Sequence, residues 1–174
     1  MGCSQETPGN PVGNASATGA PTTGDSGESS SPSTTSSESG GGSLASLDPC
    51  EMLTDAQKRT LGVTGEPKPN ETTSSKYCQW QVDDNPAVPD GYALGVLVFP
   101  ESGIDQVNAV GEKTPVTVGS RRAIQSVRAG GSVCAISIEV TATSRVDVQA
   151  SGDDAPELCT AALDAAKVVE PELP

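Results

Sequence analysis

The sequence predicts an α+β domain, a mainly antiparallel sheet flanked by an N-terminal and a C-terminal helix. Three observations carry this. Six short segments have the alternating or continuous apolar pattern of strands. Helix-start signals stand at both ends of that region and once inside it. A Gly130-Gly131 pair, which supplies the positive φ of a tight hairpin, joins two of the segments. Helices at the ends of a run of hairpin-linked strands make an α+β arrangement.

The elements follow in chain order. Asp48-Pro49-Cys50-Glu51 offers an N-cap acid, a proline at the first helical position and a carboxylate behind it. Thr54-Asp55-Ala56-Gln57 repeats that logic and Leu61-Gly62 is a helix stop, so a short, broken helix is expected across 48–61. Cys78, Trp80 and Val82 then alternate with Tyr77, Gln79 and Gln81, a half-buried strand. Tyr92 to Phe99 is apolar on both faces, as in a central strand covered on each side. Ser102-Gly103-Ile104-Asp105 opens a brief helix with Ile104, Val107 and Val110 three apart. Strands are expected at 116–118 and 122–127. Past the glycines, 132–140 points Cys134, Ile136, Ile138 and Val140 to one side and Ser137 and Glu139 to the other. In 146–150, Val146 and Val148 face inward while Asp147 and Gln149 face outward. The clearest helix opens at Asp154-Ala155-Pro156-Glu157 and runs to Val169, with Leu158, Ala162, Ala166 and Val169 on one stripe and Cys159 and Leu163 beside them.

Composition breaks near residue 46. Of residues 1–46, 31 are Gly, Ser, Thr or Pro, with no aromatic side chain and no Lys or Arg. Such a stretch cannot bury enough apolar surface to offset its conformational entropy, so it is expected to form a disordered tether with an r.m.s. reach of roughly 35–40 Å. The expected folded part is 47–174, with 19 acidic against 10 basic residues and a formal charge of −9.

The whole chain of 174 residues carries −13 and has no histidine. The charge argues against a nucleic-acid partner. The missing imidazole excludes Ser-His-Asp and Cys-His nucleophile systems and histidine metal sites. No run reaches the roughly 20 apolar residues of a membrane span. No Gly-x-Ser-x-Gly, Ser-x-x-Lys or phosphate-binding glycine loop is present. Asp83-Asp84 with Asn85 and Asp90 lacks the order of a calcium loop and reads as a solvated turn, and Asp153, Asp154 and Glu157 read as helix-capping acids. No metal, cofactor or catalytic residue is assigned.

Five cysteines divide into one and four. Cys50, Cys78, Cys134 and Cys159 lie in the expected fold, without a C-x-x-C pair, and read as a disulfide framework made in an oxidising compartment. Cys50–Cys78 with Cys134–Cys159 is the favoured pairing, each tying a helix to a strand; Cys50–Cys159 with Cys78–Cys134 is the rival. Cys3, after Gly2 and ahead of the polar tether, has the look of the end of a bacterial lipobox, with Met1 in place of a removed signal peptide. Arg121, Arg122 and Arg128 are the only basic concentration. Arg121 and Arg122 point to opposite faces of a strand, and the three read as edge charges, with contact to an anion or partner as the functional alternative.

With these residues in view, the domain resembles the actinobacterial lipoproteins of the domain of unknown function 3558 family. Asp48-Pro49-Cys50 with Leu53-Thr54, Cys78-Gln79-Trp80, the late Cys159 helix and the Glu170-Pro171-Glu172-Leu173-Pro174 end carry the resemblance. It implies a secreted protein anchored by a lipidated N-terminal cysteine on the outer face of the cytoplasmic membrane, and a fold like the Mog1/PsbP sandwiches. It carries over no catalytic residue. The expected function is therefore a non-catalytic, lipid-anchored envelope protein that binds a protein partner or small ligand. A structural subunit of an envelope complex and a carboxylate-dependent hydrolase are the alternatives.

Overall fold

The computed structural model describes residues 43–109, 111–153 and 155–174. Cys3, the bulk of the expected tether, Val110 and the expected cap Asp154 lie outside the described residues. Residues 44–46, assigned by composition to the tether, belong to the fold. They form one 3-10 turn, Leu44 is buried in the core, and the Lys76 Nζ donates to the Ala45 carbonyl at 3.0 Å.

The first α-helix, α1 (Asp55–Thr60), is shorter than expected. Thr54 caps it: its hydroxyl accepts the Gln57 N–H at 3.3 Å, and the Gln57 side chain accepts the Thr54 N–H at 2.7 Å. Asp48 accepts the Cys50 N–H at 2.8 Å but closes only a turn, because Thr54 restarts the chain in extended geometry (φ −67°, ψ 160°).

Seven strands follow: β1 (Lys68–Glu71), β2 (Lys76–Val82), β3 (Tyr92–Phe99), β4 (Lys113–Val118), β5 (Arg121–Arg128), β6 (Val133–Thr141) and β7 (Ser144–Ser151). They form one sheet in the order β1-β2-β3-β7-β6-β5-β4, antiparallel at every pairing. The chain leaves β3, crosses to the far edge and returns strand by strand until β7 pairs with β3. The C-terminal helix α2 (Ala155–Val169) closes the domain and packs on β6 and β7. The fold is thus α+β with an antiparallel sheet and helices at both ends.

β1 is the strand that pattern reading passes over. Lys-Pro-Asn-Glu is polar and fully exposed, and only the turn at 72–75 and pairing with β2 make it a strand. At the β5–β6 turn the hairpin is wider than two glycines: Ala129 (φ 49°), Gly130 (69°) and Gly131 (106°) are all left-handed.

Register sorts the side chains. Cys78, Trp80, Val82, Leu94, Val96, Val98, Ala123, Cys134, Ile136, Ile138, Val146 and Val148 share one face, where they meet Leu158, Ala162, Ala165, Ala166 and Val169 of α2. Met52, Leu53 and Leu61, which flank α1, join the same cluster, while α1 itself buries none of its residues. Among the described residues the opposite face has no α-helical layer. There the β3–β4 connection crosses the sheet as irregular chain with a 3-10 turn (Ile104–Gln106), burying Ile104 and Val107.

Cys134–Cys159 joins α2 to β6, whereas Cys50–Cys78 ties the turn ahead of α1, not the helix expected there, to β2. Cys50–Cys78 and Cys134–Cys159 each hold their Cα atoms 5.0 Å apart. In each bond the strand cysteine is completely buried and the other is half-buried.

Candidate functional site

The most concentrated chemistry lies on the sheet face opposite α2. Asp147, in the middle of β7 between Leu97 and Ser137, points there as its alternation requires. It is nevertheless 0 % exposed, so the expectation of a solvated outward side chain is corrected. Arg128 Nη1 donates to one carboxylate oxygen at 2.9 Å and Arg145 Nε to the other, also at 2.9 Å. Arg128 continues to Ser137 Oγ at 3.0 Å and Ser126 Oγ at 3.2 Å. Arg145 Nη1 donates to the carbonyls of Ser102 and Gly103 at 2.9 and 3.1 Å, and its guanidinium lies 4.0 Å from the Phe99 ring centre.

This arrangement does a defined job. A buried carboxylate must be paired, and Asp147 is paired on both oxygens. Arg145 turns the same charge into a clamp on the crossing β3–β4 connection, and the connection in turn keeps water off the pair. Fully buried and bonded on both oxygens, Asp147 is the counter-charge that the two guanidiniums share. Arg145 and Asp147 stand two apart on one strand, so their adjacency was readable. Their burial was not, because a segment more than 35 residues earlier in the chain provides it.

The three arginines singled out from sequence do not converge. Arg121 lies toward the helical face, where its guanidinium donates to the main-chain oxygens of Leu173 and Pro174 at 3.2 and 2.7 Å and pairs with Glu170 at 3.4 Å. It thereby clasps the C-terminal segment onto the β4–β5 turn, whose Gly119 (φ 58°) has the Glu170 carboxylate where a Cβ would stand. Arg122, on the other face, bridges Glu139 at 3.0 Å and Asp105 at 3.2 Å, a second tie on the crossing connection. Surrounded by both carboxylates, chiefly through the Glu139 hydrogen bonds, its guanidinium is held charged beyond its ordinary range. Only Arg128 reaches the buried cluster.

The acidic turn after β2 is solvated as expected. Asp83 accepts from the Thr64 hydroxyl at 2.6 Å and the Gln81 amide at 3.1 Å, and these bonds, Thr64 first, lower its pKa below the usual value. Among the described residues no group of three or more His, Cys, Asp or Glu is placed to hold a metal.

At the start of β3, burial raises the Tyr92 phenol above its ordinary value of 10.0; the Asn85 amide opposes this at 3.3 Å, and the charge of Asp164 adds to it. A raised phenol contributes stability that is complete below the unfolded value and is lost as pH rises through the folded one. Urea unfolding is expected to show a fall in stability above about pH 10 that Tyr92→Phe reduces. An identical alkaline slope in the variant would assign the loss to other groups.

Ligand-sized space is shallow. A cleft of about 310 Å³ opens between Leu44 and the hydroxyl-rich turn at 72–75, with Glu71, Lys76 and Glu101 on its walls. A groove of about 520 Å³ runs between α2 and β5.

Fold and site together define a disulfide-stapled α+β domain whose buried charges bind its own irregular segments to the sheet. The chain belongs to the family described as protein of unknown function (DUF3558), whose model matches residues 1–172. No curated protein and no solved structure matches it.

Proposed function

We propose that the chain is a non-catalytic protein of the cell envelope, attached through lipid on Cys3 to the outer face of the cytoplasmic membrane, whose folded domain binds a partner. The observation that carries this reading is the pair of disulfides. All four cysteines of the fold are cross-linked, each bond ending on a buried strand cysteine, and such bonds persist in oxidising compartments. Gly2-Cys3 followed by a Gly/Ser/Thr/Pro-rich stretch supports the anchor. The non-catalytic reading is supported by the pairing of Asp147 with Arg128 and Arg145, of Arg122 with Glu139 and Asp105, and of Arg121 with Glu170 and the C-terminal main chain.

Expression behind a native signal peptide, followed by membrane fractionation, tests it. The wild type is expected in the membrane fraction and Cys3→Ser in the soluble fraction, since the anchor of such lipoproteins brings the more than one acyl chain that stable attachment requires. Equal partitioning of the two would reject the anchor.

A further inference from the structure

We propose that the solvent stripe of α2 is a self-association surface whose partner is a second, antiparallel copy of this chain. The exposed residues of α2 include Glu157, Thr160, Asp164 and Lys167, at spacings of three and four, which place them on one outward stripe. Asp164 and Lys167 pair at 2.9 Å with side chains 60 % and 57 % exposed, a contact open enough to be shared with another molecule.

The stripe is complementary to itself. A two-fold axis crossing α2 at the level of Ala162 carries position 157 onto 167 and position 160 onto 164. Glu157 then faces Lys167 of the partner subunit, and Thr160 faces Asp164 of the partner subunit, each contact occurring twice. For a domain carrying −9 this matters, because two copies approaching on a surface of one sign repel. Here acid meets base.

Shape agrees with charge. The groove of about 520 Å³ beside the stripe is floored by Gln125 and Val127 and walled by Cys159 and Leu163, all half-buried, so apolar surface lies beside the charges for a second copy to cover. The sheet edges, by contrast, are poor places to add a strand. β1 carries Lys68 and Pro69, and β4 carries Lys113 and Pro115, the lysine and proline devices that block edge pairing.

One helix pair of about 22 Å covers less than the roughly 800 Å² per partner of a standard interface, so the dimer is weak, with Kd on the order of 0.1–1 mM. Sedimentation velocity on the full chain at low salt, up to about 1 mM, tests this. The wild type is expected to form a reversible dimer that salt weakens. Lys167→Glu, which makes the stripe wholly acidic, and Glu157→Lys, which sets a lysine against Lys167 of the partner subunit, are each expected to weaken it at least about tenfold. An equimolar mixture of the two variants restores both contacts and is expected to associate like the wild type. A wild type monomeric throughout, single variants that dimerise normally, or a mixture that stays monomeric would each overturn the proposal. Unchanged melting temperatures of the variants separate loss of association from loss of fold.

Discussion

Replacing Asp147 with alanine is expected to destabilise the domain by about 3–5 kcal/mol, the usual effect of removing one partner from a buried ion cluster. The side chain removed is 0 % exposed, and the two guanidiniums it leaves behind are 7 % and 21 % exposed, so water re-solvates Arg145 poorly and Arg128 only in part. The damage should begin at the β3–β4 connection. Arg145, no longer drawn to Asp147, loses its fixed grip on the Ser102 and Gly103 carbonyls, and amide exchange at residues 102–107 is expected to rise before that of the sheet. Replacing all three charged residues by apolar ones of similar size should recover much of the loss, because an ion cluster is costly mainly when it is broken. Urea unfolding of the single and triple variants checks both statements. A single variant within 1 kcal/mol of wild type would show that water replaces the carboxylate.

Cys159→Ser is expected to destabilise by about 2–5 kcal/mol. The bond closes a loop with a sequence separation of 25, for which the chain-entropy model gives about 3–4 kcal/mol. The docking face of α2 explains why it matters: Ala161, Ala162, Ala165 and Ala166 make up most of its buried residues, with Leu158 and Val169 as its larger contacts. Alanine favours helix but removes little apolar area from water, at about 25 cal/mol per Å². The disulfide supplies by constraint what the alanines do not supply by contact. Hydrogen exchange should therefore show residues 157–169 opening first in the variant. Protection equal to wild type across that helix would mean that packing alone holds it.

Much of the architecture was legible because it rests on local pattern. β3 and α2 have the expected bounds, and Cys134, Ile136 and Ile138 share the expected face, since periods of 2 and 3.6 are written directly into residue order. The same alternation put three of the four cysteines toward one core, which left two pairings open; the fold decides for Cys50–Cys78 and Cys134–Cys159. Where local signals competed, boundaries moved. Asp48 and Thr54 both offer caps, and only the second starts an α-helix, because only there do a hydroxyl and a Gln57 amide satisfy each other's donors.

The residue order by itself determined the α+β class, the alternation that assigns each strand residue to a face and the Thr54–Gln57 cap. All of these depend on neighbours within a few positions. Tertiary structure decided the rest. It recruited a polar edge strand at Lys68–Glu71, drew Leu44 into the core, gave Arg121 the C-terminal segment and Arg122 the carboxylates of Glu139 and Asp105 as partners, and sealed Asp147 beneath a connection from another part of the chain. Burial of a charge depends on what covers it and what pairs with it. For Asp147 those are Arg128 from β5 and the crossing segment clamped by Arg145, brought together only when the sheet closes.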